Sequence, residues 1–113
     1  MTSHIVLMKP RAGLTAGARQ AFVAAFERAV REIPTVRQVR VGRRIVHGAG
    51  YEARVPDADY VAIVDFDDLE GLQTYLRHPA HAELGALFRE SLSSGLAFDF
   101  EVGGLEDLPA MLS

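Results

Sequence analysis

The sequence predicts an α+β domain of the ferredoxin-like, split βαβ kind: one antiparallel sheet with helices on one face. Three observations carry this. Apolar residues recur at period two and at helical spacing in the order strand, helix, strand, strand, helix pair, strand. Pro34 and Pro79 interrupt the helical stretches where a turn is needed. The chain of 113 residues suits a single domain, placed at 1–102, with a tail at 103–113 too short to fold alone.

The first strand covers His4 to Lys9, with His4, Val6 and Met8 on one side and Ile5 and Leu7 on the other. Pro10 to Gly13 makes a turn, and Thr15 caps a helix that runs to about Glu32. Ala18, Phe22, Ala25, Phe26, Ala29, Val30 and Ile33 form its apolar stripe. Val36 to Val46 alternates as a half-solvated strand. His47 to Asp59 holds Gly48, Gly50 and Pro56 and is a loop.

Tyr60 to Phe66 is the clearest strand. Asp67 and Asp68 open the next helix, where carboxylates suit the positive helix end. Pro79 breaks it, and His78 or Pro79 starts a second piece through Leu84, Phe88 and Leu92. Gly95 is expected to stop that helix before a last strand, Leu96 to Val102.

Composition excludes several function classes. Hydrophobic residues make up 49% and charged residues 24%, as in an ordinary folded domain. A net charge of −3 provides no field for nucleic acid. Without cysteine there is no disulfide, thiol nucleophile or thiolate metal site, which fits a cytoplasmic location. No apolar run approaches the roughly 20 residues of a membrane span, and the N-terminus lacks signal-peptide character. Lys9 is the only lysine, so Schiff-base chemistry is not expected.

Helices on one side leave the other sheet face bare. That face is either His4, Val6, Met8, Tyr60, Ala62, Val64 and Phe66 or the alternate residues, and both sets are apolar. A second copy is the economical cover, so a homodimer with two sheets face to face in a closed α/β barrel is expected.

Tyr75-Leu76-Arg77-His78-Pro79-Ala80-His81 places a phenol and two imidazoles around a helix break, and Phe98-Asp99-Phe100 places a carboxylate in a strand. Such groups suffice for a small acid/base site. Each also has a structural reading. Tyr75 follows Leu69 and Leu72 at helical spacing and fits a core position. His78 before Pro79 fits a helix-start contact, and His81 with Asp99 fits a satisfied polar pair. His78 and His81 lack a third ligand at metal-site spacing, so no metal is expected. Gly48-Ala49-Gly50 lacks the rest of a phosphate loop. Arg37, Arg40, Arg43 and Arg44 read as a solvated sheet edge or as inter-subunit pairs for Asp57, Asp59 or Asp65.

The chain resembles the stress-responsive dimeric α/β-barrel (Dabb) family from His4 to about Val102. The resemblance rests on His4-Ile5-Val6-Leu7, Ile33-Pro34, Val41-Gly42, Phe66-Asp67-Asp68 with Leu72 and Tyr75, His78-Pro79-Ala80-His81 and Phe98-Asp99-Phe100. One plant member closes a linear polyketide by aldol condensation without a cofactor. The resemblance implies Tyr75 and His81 as the catalytic pair, Asp99 as the residue orienting His81, and His4 as a pocket histidine. Tyr60 stands where that member has a histidine, and Phe26 where it has a tyrosine; with Phe66 these are the expected substrate-binding residues beside His4.

The function expected from this resemblance is a cofactor-independent lyase or cyclase acting on a small apolar, polyketide-like carbonyl compound. His81 would take an α-proton, Asp99 would fix its tautomer and Tyr75 would donate to the enolate oxygen. An open cavity of roughly 300 Å³ or more should accompany it. The alternatives are a non-catalytic stress-responsive barrel binding a small apolar ligand, and a cofactor-free monooxygenase-like barrel.

Overall fold

The computed structural model describes all 113 residues. Strand β1 spans Thr2–Pro10, helix α1 Ala16–Glu32, β2 Val36–Arg43, β3 Tyr60–Phe66, α2 Leu69–Arg77, α3 Pro79–Ser91 and β4 Leu92–Glu101. The sheet order is β2-β3-β1-β4, and every neighbouring pair is antiparallel. This is the ferredoxin-like arrangement, with all three helices on one face.

The helix boundaries follow local chemistry. Thr15 accepts the Ala18 N–H at 3.1 Å and Asp68 accepts the Gly71 N–H at 2.9 Å, so each supplies an N-cap. His78 ends α2 and caps α3, its Nδ1 accepting the Ala80 N–H at 3.0 Å ahead of Pro79 in the first turn. The core between sheet and helices is built on Ala25, Ala29 and Ile33 of α1, Val64 and Phe66 of β3, and Leu72, Tyr75 and Leu84 of α2 and α3.

Cross-strand register decides which sheet face the helices cover. His4 faces Val64 and Asp99, Val6 faces Ala62 and Ala97, and all of these lie on the helix side with Met8 and Phe66. The open face is therefore the alternate set: Ile5, Leu7, Val61, Ile63, Leu96, Phe98 and Phe100. Phe98 and Phe100 are 42% and 51% exposed, an apolar surface that water would not favour leaving uncovered. One carboxylate is buried on this side. Asp65 accepts Ser3 Oγ–H at 2.6 Å and an Arg40 N–H at 3.2 Å, which satisfies it within the chain. Arg37 pairs with Asp67, and Lys9 with Asp57.

β1 extends beyond the expected His4–Lys9 at both ends, and two other boundaries differ more from the sequence reading. β2 ends at Arg43 rather than Val46, because the following loop turns away; Gly48 there has φ +87°, and Glu52 accepts the N–H groups of His47 and Gly48 at 2.8 and 2.7 Å. β4 begins at Leu92, so Gly95 lies inside a strand and does not stop α3. A Cβ at Gly95 would overlap the Phe88 ring, so the missing side chain lets that ring lie on the strand. The 103–113 segment forms a short 3₁₀ turn and a one-turn helix, with Leu105 82% and Leu112 76% exposed.

Candidate active site

Between the sheet and the helices lies a cavity of about 250 Å³, slightly under the expected size, with eleven hydrophobic residues among the fifteen that line it. Val6, Met8, Ala62 and Val64 form its floor on the sheet. Phe22 and Phe26 of α1 and Leu84 and Phe88 of α3 form its walls. Its polar groups are few: His4, Tyr75, His81 and Arg89. An apolar enclosure with a small number of converging polar groups is the usual form of a small-molecule site.

Three of these groups gather at one place. The Tyr75 ring lies 4.8 Å from the His81 ring and 6.1 Å from the His4 ring, centroid to centroid. Phe66 backs it at 5.2 Å. The break at His78–Pro79 makes this possible, since six residues along one straight helix would not bring Tyr75 and His81 to a common cavity. Tyr75 is only 2% exposed, and burial pushes its phenol up to about 12, so it remains a proton donor at neutral pH. Every fully buried polar side-chain atom has a partner within the protein; the phenol oxygen has none there and opens on the cavity.

His81 is half-buried, and its pKa is lowered first by desolvation and then by the nearby His4, against a smaller opposing effect of the Leu76 backbone. It is a neutral imidazole at pH 7. His4 sits on β1 opposite Asp99 of β4, and its Nδ1 lies 2.6 Å from Asp99 Oδ1. That bond directs the other ring nitrogen away from Asp99, on a residue that lines the cavity.

The expected pairing of His81 with Asp99 is thus corrected: Asp99 holds His4. Register explains why, since opposed residues of adjacent strands hold their Cβ atoms about 5 Å apart, whereas His81 belongs to a helix above the sheet. Of the expected substrate-binding residues, His4 and Phe26 line the cavity. Phe66 does not; it is fully buried behind Tyr75. Tyr60 does not either, being at the far end of β3, where it borders a second depression with Leu7, Val55, Pro56 and Val61. His78 is taken up by helix capping. Sequence reading missed Phe22, Phe88 and Arg89 as cavity residues, although Phe88 and Arg89 follow His81, Leu84 and Gly85 at helical spacing.

Comparison with known proteins gives the same fold. The chain is 25% identical over 97 residues to olivetolic acid cyclase of Cannabis sativa, covering 86% of this chain and 92% of the cyclase. Hydroxynitrile lyase from Passiflora edulis superimposes with a TM-score of 0.75 at 14% identity, over 90% of this chain and 93% of the lyase. A dimeric ferredoxin-like protein of unknown function from Thermobifida fusca does so with a TM-score of 0.69 at 22% identity, over 89% and 90% of the two chains. The family model described as the stress responsive A/B barrel domain matches residues 2–102, and the chain belongs to that family.

Proposed function

We propose that this protein is a cofactor-independent enzyme that enolises a small, largely apolar carbonyl compound of polyketide type and promotes its aldol cyclisation or a related lyase step. The observation that carries the reading is Tyr75 gathered with two histidines on an apolar cavity. Tyr75, protonated, donates to the carbonyl oxygen as enolate charge develops, the kind of preorganised contact that contributes most to such reactions. The base is an imidazole beside it. Asp99 holds His4 Nδ1 and so fixes its tautomer, leaving the other ring nitrogen for the substrate, whereas burial and the neighbouring His4 disfavour a proton on His81. Proton abstraction therefore falls to His4 backed by Asp99, and His81 stands as the neutral catalytic partner beside the phenol. The similarity to a cyclase and to a lyase supports this class of chemistry.

The working unit is a homodimer, with the open faces around Ile5, Ile63, Phe98 and Phe100 packed together as a closed barrel. The cavities lie on the opposite side of each sheet, so each protomer holds its own site.

The test is turnover of poly-β-keto acids or their thioesters by the wild type, His4→Ala, His81→Ala and Tyr75→Phe. Removing the base should lower the rate on the order of 100-fold or more with folding retained. Equal product formation with all four proteins and with buffer alone would refute enzymatic catalysis and leave a ligand-binding barrel.

A further inference from the structure

We infer that the same cavity selects an amphiphilic carboxylate, its charged end held by Arg89 and its apolar body directed towards Tyr75. The inference deepens the proposed function, since it assumes that this cavity is the substrate site.

Arg89 is the one residue lining the cavity that carries a permanent charge. It forms none of the chain's ion pairs: Arg28 engages Glu83, and the carboxylates of Asp57, Asp65, Asp67, Asp99 and Glu27 have other partners. It reaches back to Gly85, one turn earlier on α3. A Cβ at Gly85 would come 3.6 Å from Arg89 Nη1, so the guanidinium lies back along the helix over the glycine. Glycine inside a helix is less favourable than alanine. Here it leaves the space beneath the guanidinium open, and Gly85 itself lines the cavity.

A second cation reinforces this end. Arg11 donates from Nε to the Glu90 carbonyl at 2.8 Å and from Nη2 to the Arg89 carbonyl at 3.4 Å. The end of α3 thus carries a second guanidinium, although Arg89 alone lines the cavity, and a planar guanidinium matches a carboxylate fork better than any neutral headgroup.

Helix α3 also fixes the separation. His81 and Arg89 both line the cavity from one helix, and because the Arg89 guanidinium lies back over Gly85 it stands about one turn, roughly 6 Å, from His81 along the axis. Leu84 lies in that interval, with Phe88 beyond it. A ligand spanning it has a carboxylate at one end, a short spacer, and its reactive carbonyl near Tyr75, with any longer apolar chain on the cavity walls. Short neutral carbonyl compounds would reach the acid/base groups without the charged contact.

The test uses octanoate and 1-octanol, equal in chain length and different in headgroup, with binding measured by calorimetry on the full-length protein at low salt. The wild type should bind octanoate about tenfold more tightly than the alcohol, the increment of one charge-assisted contact. Arg89→Met should bring the ratio close to one and leave the affinity for octanol unchanged, while Arg89→Lys should retain part of the preference. Raised salt should weaken octanoate binding alone. Equal affinities for the two ligands in the wild type, binding of neither, or an unchanged ratio in Arg89→Met would overturn the inference. Anion preference without turnover would refute the enolisation and leave Arg89 in its role; turnover without anion preference would do the reverse.

Discussion

His4 Nδ1 and Asp99 Oδ1 are 2.6 Å apart because the two residues face each other across the β1–β4 ladder. The bond ties the edge strand to the proposed base, and it makes the role of Asp99 separable by experiment.

A double-mutant cycle on turnover checks that role. Asp99→Asn alone should lower the rate on the order of 10- to 100-fold by loss of tautomer control and imidazolium stabilisation. The same change should have almost no further effect in a His4→Ala background, and close to its full effect in His81→Ala. Coupling of Asp99 to His81 in place of His4 would contradict the geometry.

The second prediction concerns pH. His81 is lowered by burial and by His4, so its folded pKa lies below the ordinary value of about 6.5. The unfolded chain then takes up this proton first as pH falls. The His81 contribution to stability is complete above the unfolded pKa and is lost as pH falls from there through the lower folded pKa. Histidine NMR titration should give a His81 midpoint below 6.5 that rises in His4→Gln, although not fully, because desolvation is the larger cause. An unshifted midpoint would show that the ring is solvated.

For the dimer, the informative substitution lies on the open face. Val64 is 1% exposed beneath the helices, so Val64→Asp would unfold the protomer and report nothing about association. Phe98→Asp should give a folded monomer by sedimentation, since Phe98 is 42% exposed in the single chain and its new charge stays hydrated there. A wild type that sediments as a monomer at micromolar concentration would remove the homodimer from the proposal.

Gly95 is the last position with a defined outcome. Gly95→Ala places a methyl against the Phe88 ring, which has to swing away from the strand. Overpacking of this kind costs roughly 1–3 kcal/mol. Phe88 is also a cavity wall, so thermal denaturation should show the loss of stability together with altered affinity for apolar ligands.

The sequence by itself determined the element order, because periodicity, caps and prolines are local properties: Thr15, Pro34, Asp68 and Pro79 mark their boundaries without reference to distant residues. It also singled out Tyr75, His81, Asp99 and His4 as the polar groups worth watching. Tertiary structure decided how they pair. Asp99 meets His4 and not His81 because strand register, a property of two segments 95 positions apart, sets that contact. The same register selected which of two apolar sheet faces the helices bury, a choice that alternation leaves open because both faces are hydrophobic. Phe66 and Tyr60 left the site for the same kind of reason: one is covered by Tyr75, and the other lies at the far end of its strand. Arg89 entered it only once α3 had been laid across the sheet, since an exposed arginine on a helix reveals a ligand contact only through the cavity beside it.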